Sequence, residues 1–279
     1  MNFKPVIKWS GSKRSQSEEI VNKIPDKEYD TYYEPFCGGC SVLYQVLNSS
    51  KTFRNYVCSD INEDLINLWN LIKNSPEEVY LAYRGHWVKL NSLNSIDDKR
   101  KYFNEVRDRF NKEKNPLHFM FIMRTTTNGM PRYNKKGEFN NSFHLTRNGI
   151  NPETLKEIIF EWSYLLNKYN VQFVHQSYLN LKPTKNDFIY LDPPYANTKG
   201  MYYGGIDLEE LWDFLREVPW DYVMSFDGKT TTTDSTYNVP EEIYNEFIYL
   251  NSGNSSFRRI LGKSKTEIVH ESLYIKIKR

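Results

Sequence analysis

The sequence predicts an α/β protein: a doubly wound, mostly parallel sheet interrupted by a mainly helical insertion. Three observations predict it. A strand, a Gly-rich turn and a helix are followed by a second strand ending in an acid. The middle of the chain abandons that alternation, and it then returns around a strongly apolar strand. Alternating strands and helices favour a parallel sheet with helices on its faces.

Taken in order, Tyr32 to Phe36 reads as a short buried strand, Gly38-Gly39 as the turn and Ser41 to Leu47 as the helix. A second strand at Tyr56 to Ser59 ends in Asp60, and Asn62 opens a periodic helix to about Ile72. Helices are then expected at Asp97 to Lys112 and Pro116 to Met123, followed by a polar, Gly-punctuated stretch from Asn128 to Asn148. Within it Tyr133 to Phe139 reads as a hairpin with Gly137 in the turn. The alternation resumes with a helix at Pro152 to Lys168 and strands at Gln172 to His175, Phe188 to Leu191, Tyr222 to Phe226 and Ser272 to Ile277.

The 279 residues are 39% hydrophobic and 26% charged, with a net charge of +2, so charge alone does not assign a nucleic-acid partner. No apolar run reaches the roughly 18 residues of a membrane span, and the start of the chain lacks a signal-peptide core. A soluble, cytoplasmic protein is expected. Cys37, Cys40 and Cys58 are odd in number and suggest neither a disulfide framework nor a zinc site; they read as small buried residues. The five histidines share no ligand spacing, and no metal is expected.

Asp192-Pro193-Pro194-Tyr195 follows the most apolar strand, at the carboxyl end where open α/β sheets bind ligands. Two prolines remove two backbone donors and stiffen the loop. An aromatic amine is a poor nucleophile because its lone pair is delocalised, and two acceptors on its N–H groups draw it toward tetrahedral geometry. The Asp192 carboxylate and Pro193 carbonyl suit that task, and Tyr195 suits stacking on a base rotated out of a duplex. A rigid surface turn would use the same four residues, so the string needs company.

Company comes from Glu34-Pro35-Phe36-Cys37-Gly38-Gly39-Cys40-Ser41, with Asp60 about 20 residues beyond. Glycines after the first strand let backbone approach a nucleoside, and an acid ending the second strand can accept both ribose hydroxyls. The dinucleotide fingerprint Gly-x-Gly-x-x-Gly is missing, which favours S-adenosylmethionine over a pyrophosphate cofactor. In Lys8-Trp9-Ser10-Gly11-Ser12-Lys13, Trp9 can pack on such a cofactor and Lys13 can hold its carboxylate, although an exposed basic turn has the same composition.

In this order, with Ser59-Asp60-Ile61-Asn62 and Asn128-Gly129-x-x-Arg132-Tyr133-Asn134-x-x-Gly137-Glu138-Phe139-Asn140, these motifs resemble the Dam family of α-class, D12-type DNA adenine methyltransferases over nearly the whole chain. The resemblance implies a Rossmann-like catalytic domain over 1–75 and 151–279, with a target-recognition insertion at 76–150. It implies methyl transfer from S-adenosylmethionine to adenine N6 in double-stranded DNA, by base flipping and direct transfer. Asp192, Pro193, Pro194 and Tyr195 fall on the family's catalytic loop. Trp9, Lys13, Pro35, Phe36, Cys37, Gly38, Gly39, Asp60, Ile61 and Asp192 fall on its cofactor site. Lys8 and Arg132 fall where it reads guanine, and Asn128, Lys135 and Lys136 are further expected DNA contacts. A monomer or weak dimer is expected, with a cognate restriction endonuclease as a further candidate partner.

Some residues depart from the family pattern. Cys40 replaces a Gly common there, and Thr127 replaces an aromatic that inserts into the duplex. Asn141 to Arg147 lacks the Pro-Phe-Gly of GATC readers and is similar to adenine methyltransferases of type IIS restriction systems, so both GATC and an asymmetric site stay open. A cytosine-C5 enzyme would need a Pro-Cys nucleophile pair, and none occurs. Thr230 to Thr233 reads as a loop, and Ser255 to Arg259 as a basic turn able to meet phosphate.

Overall fold

A computed structural model of the chain describes residues 4–194, 206–216, 218–230, 234, 236–254 and 268–278. The first elements are α1 (Ser17–Asn22), β1 (Tyr29–Glu34), α2 (Ser41–Leu47), β2 (Phe53–Asp60), α3 (Glu63–Asn74), α4 (Pro76–Asn91), α5 (Ile96–Glu113) and α6 (Pro116–Thr125). There follow α7 (Pro152–Lys168), β3 (Gln172–His175), β4 (Phe188–Leu191), α8 (Leu208–Arg216), β5 (Asp221–Thr230), β6 (Glu246–Asn254) and β7 (Ile268–Lys276). They fall into two compact units, one of 4–12 and 60–175, the other of 13–59 and the described residues from 176 onward.

In the second unit six strands lie in the order β2-β1-β4-β5-β7-β6. The pairs β1/β2, β1/β4 and β4/β5 are parallel. Strand β7 runs antiparallel to both β5 and β6. The central strand β4, Phe-Ile-Tyr-Leu, is buried at every position, the continuous apolar run expected of a parallel strand covered on both faces. Rings of Tyr29, Tyr32, Phe53 and Phe188 pack together at centroid distances of 5.2 to 6.4 Å. On the other flank Leu211, Trp212 and Leu215 of α8 join Ile189, Leu191, Tyr222 and Met224 in one core.

The alternating α/β fold expected from the sequence is present, with differences at its margins. Strand β1 ends at Glu34 rather than Phe36, because Pro35 has no N–H to continue the ladder. Helices α1, α4 and α8 and strand β6 were not read from the sequence. In α4 the buried Val79, Tyr80, Tyr83 and Leu90 are separated by Arg84, Gly85 and His86, so its apolar period is weak.

The first unit holds α3 to α7. Their starts are written in the sequence: Asn62, Ser95, Asn115 and Asn151 each cap a first turn by accepting a backbone N–H, and Pro116 and Pro152 occupy first helical positions. Trp69 of α3 packs on Trp162 of α7 at 4.9 Å and stacks on Phe173 of β3 at 5.4 Å. Beyond α6 the expected hairpin forms through the Tyr133–Phe139 bridge, with Gly137 at φ +73°. Among the described residues no helix is long and apolar enough to cross a membrane.

The β5–β7 pairing breaks register between Phe226 and Lys229. There a Cβ on Gly228 would collide with the His270 carbonyl oxygen and lie 2.7 Å from the Glu271 Cα. Backbone cannot yield as a flexible side chain can. Gly228→Ala is therefore expected to destabilise the protein by about 1–3 kcal/mol, read as a lowered denaturant midpoint; an unchanged midpoint would show that the bulge relaxes freely.

Candidate active site

Parallel pairing of β1 with β4 sets their carboxyl ends side by side, Tyr33 opposite Ile189. Glu34 thus ends one strand while Asp192 follows the neighbouring one. Lys13 reaches the same place from the segment before α1, where its backbone N–H donates to Ser41 Oγ at 3.0 Å. Its ammonium, only 3% exposed, lies 2.7 Å from Asp192 Oδ1 and donates to Oδ2 at 2.9 Å. Glu271 Oε2 of β7 stands 3.8 Å from the same nitrogen.

Burial pushes the Asp192 carboxyl up to about 6; the Lys13 charge and hydrogen bond oppose this, and Glu271 adds to it. For Lys13 burial acts to lower the ammonium's pKa, but Asp192, Glu271 and Tyr190 outweigh it and hold it above the ordinary lysine value. Glu34 is buried, and loss of water pushes it up to about 8. The Tyr32 hydroxyl, donating to Glu34 Oε2 at 2.6 Å, and the Leu43 N–H resist that rise, while Asp192 contributes to it. At neutral pH the arrangement is an ionised pair beside a largely protonated acid.

The turn between β1 and α2 is tight. Cys37 N–H donates to Ser59 O at 3.0 Å and Cys40 N–H to Cys37 O at 2.7 Å. Gly38 and Cys40 both take positive φ, +45° and +53°; at Cys40 this costs strain that a Gly would avoid. All three cysteines are free and buried. Pro35, Cys37, Gly38, Gly39 and Pro193 are buried, while Phe36 and Pro194 are half-buried. Tyr195, Thr231 to Thr233 and Ser255 to Arg259 lie outside the described residues.

In the first unit Asp60 ends β2 and its Oδ1 accepts the Asn62 N–H at 3.0 Å, while Ile61 is 48% exposed. The segment carrying Lys8 and the half-buried Trp9 rests on the turn after α6. Ser10 N–H donates to Gly129 O at 3.0 Å. Gly129 has φ +62°, and a Cβ there would sit 2.8 Å from the Lys8 carbonyl oxygen. Two motifs far apart in sequence, Lys8-Trp9 and Asn128 to Arg132, are thereby joined. Burial, then the charges of Arg147 and Arg124, hold the Lys8 ammonium below its ordinary value.

Tyr133 O–H, donating to Asp64 Oδ2 at 2.8 Å, anchors the hairpin to α3. Asn111 of α5 grips its far strand through both the N–H and carbonyl of Phe139. Asn128, Arg132, Lys135 and Lys136 project exposed from this rigid support. Beside it an open groove of about 530 Å³ is lined by Arg100, Arg107, Thr127, Ser142, His144 and Leu145, among others.

Sequence reasoning passed over Glu34 and Glu271. Glu34 stood inside a quoted motif, where a buried acid before Pro35 was the available signal. Glu271 gave none, lying just before the strand read at Ser272 to Ile277.

The profile described as D12 class N6 adenine-specific DNA methyltransferase matches residues 9–256. The type II methyltransferase M.MjaIII of Methanocaldococcus jannaschii is 32% identical over 212 residues, 70% of this chain and 70% of that protein. A DNA adenine methylase of Vibrio cholerae is 34% identical over 193 residues, covering 68% of this chain and 64% of its own length. The type II methyltransferase M.FokI of Planomicrobium okeanokoites is 28% identical over 219 residues, 77% of this chain but only 32% of that longer protein. With a match across most of the chain, the protein belongs to the D12 class N6 adenine-specific DNA methyltransferase family.

Proposed function

We propose that this chain methylates the N6 amine of adenine in double-stranded DNA at a specific sequence, using S-adenosylmethionine and acting on a base turned out of the helix. The observation carrying this reading is the close, partly buried Lys13–Asp192 ion pair at the end of β4, leading into two prolines. The residues present suit the cofactor. Gly38 at φ +45° leaves backbone open to close approach after β1, and β2 ends on a carboxylate matched to two vicinal hydroxyls. Trp9, Lys13, Pro35, Phe36, Cys37, Gly38, Gly39, Asp60, Ile61 and Asp192 would hold it. When bound, it supplies an electrophilic methyl group on a sulfonium.

The chain's own residues then act on the amine. Asp192 and the Pro193 carbonyl accept its two N–H bonds, localising the lone pair on nitrogen. Tyr195 stacks on the extruded ring. Residues 76–150 form the target-recognition domain between catalytic parts 1–75 and 151–279. Lys8 and Arg132 address guanine acceptors, and Asn128, Lys135 and Lys136 address the DNA backbone.

Because the acceptor must be ionised, activity is full above the raised Asp192 value and is lost as pH falls through about 6. Asp192→Asn is expected to lower tritium transfer from labelled cofactor to DNA by about 100-fold or more, the usual cost of a preorganised electrostatic contact. Near-normal turnover by this variant, or an acid limb far from 6 in the unaltered chain, would refute the mechanism.

Asp60→Ala should weaken cofactor binding in calorimetry while leaving DNA affinity without cofactor unchanged, since it removes only charge-assisted ribose bonds. An unaltered cofactor Kd would remove Asp60 from the site.

Arg132→Ala should relax methylation at one guanine position, at a cost of roughly 1–3 kcal/mol in discrimination. Lys135→Ala or Lys136→Ala should weaken all sequences alike and flatten the salt dependence. Substrates carrying every single-base change, assayed at two salt concentrations, separate these roles; a uniform loss with Arg132→Ala would mean phosphate contact.

A further inference from the structure

Lys13 is held by two acids. Its ammonium engages both Asp192 oxygens, at 2.7 and 2.9 Å, while Glu271 waits at 3.8 Å. The Glu271 Oε2 atom is buried and has no hydrogen-bond partner among the described residues. Such an oxygen has lost its water without replacement, which is unfavourable unless a donor arrives in some state of the protein. One ammonium between two carboxylates leaves one acid underserved.

The second acid is also firmly placed. Strand β7 pairs with β5 and β6; Glu271 stands opposite Leu250 of β6, at the point where the β5 register breaks. At Gly228 the β5 backbone runs so close to β7 that an added Cβ would lie 2.7 Å from the Glu271 Cα. A shift of the Lys13 nitrogen by roughly 1 Å would give it a full hydrogen bond to Glu271 and loosen its hold on Asp192.

We propose that Glu271 is a positioning residue for methyl transfer, the second resting place of the Lys13 ammonium, drawing it off Asp192 as the target amine arrives. This rests on the reading of Asp192 as amine acceptor. With Lys13 doubly bonded to it, Asp192 is a weakened acceptor; with Lys13 shared, its oxygen meets the amine N–H with more of its charge. Among the described residues the ionisable groups around Asp192 are Lys13 from the segment before α1, Glu34 of β1 and Glu271 of β7, with Tyr190 of β4 beside Lys13.

The test is steady-state methyl transfer by the full chain and by Glu271→Gln and Glu271→Asp, on duplex DNA across pH. Glu271→Gln is expected to lower kcat on the order of tenfold with KM for DNA and cofactor unchanged. Its acid limb should move to lower pH, because the like charge that disfavours Asp192 ionisation is gone. Glu271→Asp keeps the charge at greater distance, and its kcat and limb should fall between. A wild-type kcat in Glu271→Gln, or a uniform fall with an unmoved limb, would overturn the proposal. Should Glu271→Gln fail to fold in a thermal melt, an unmoved limb in Glu271→Asp overturns it equally. No transfer by the unaltered chain would instead defeat the reading of Asp192; an active chain with an unmoved limb in the variants defeats only the role of Glu271.

Discussion

A lysine ammonium buried at the strand ends of a parallel sheet is the constraint around which the catalytic unit is arranged. An isolated charge in such a place is prohibitively unfavourable, so Lys13 must be met by carboxylates, and they must come from different parts of the chain. Asp192 arrives because β4 ends beside β1, and Glu271 because β7 folds back antiparallel against β5. Each requirement of the ion cluster is thus a requirement on topology. The cluster in turn sets the electrostatics of the loop after β4: burial raises both Asp192 and Glu34, and the Lys13 charge opposes that rise at Asp192.

The segment from Lys8 and the hairpin after α6 obey a different rule. Close backbone contact and hydrogen bonds at the hairpin base organise them, with Lys114 bridging Asp64 and the Gly137 carbonyl. Gly129 lets the Lys8 carbonyl come within a distance no side chain would tolerate, and Ser10 closes the contact with a hydrogen bond. The hairpin is likewise held at its base, by Tyr133 on Asp64 and Asn111 on Phe139, so that Arg132, Lys135 and Lys136 can stay exposed. Burial first, and then the charges of Arg147 and Arg124, lower the Lys8 pKa.

Much of this was legible beforehand because local chemistry writes it. Helix starts followed from Asn62, Pro116 and Pro152, whereas the Ser95 cap that opens α5 two residues before the expected Asp97 was not read. The apolar run of β4 announced a buried strand, and Gly137 a turn. The site residues clustered in short motifs because each motif is a strand end and its turn, and a turn is specified by neighbours in sequence. Helix α4 escaped because its buried positions are diluted by polar ones, and α1 because it is under two turns long and packs chiefly through tertiary contact.

What the sequence by itself determined is the set of parts: strand, glycine turn, acid, Asp-Pro-Pro-Tyr loop, and a polar hairpin between capped helices. Their types and spacing are local properties, set by φ/ψ preference, periodicity and the donors and acceptors each residue carries. What only the tertiary structure decided is which charges share a proton environment. Whether Lys13 meets one acid or two, and whether Glu34 ionises, depends on strand order, on the antiparallel return of β7 and on the exclusion of water. Burial shifts the acidities of Lys13, Glu34 and Asp192 and their charged neighbours modify those shifts, effects that exist only once folding has excluded water and brought the groups together.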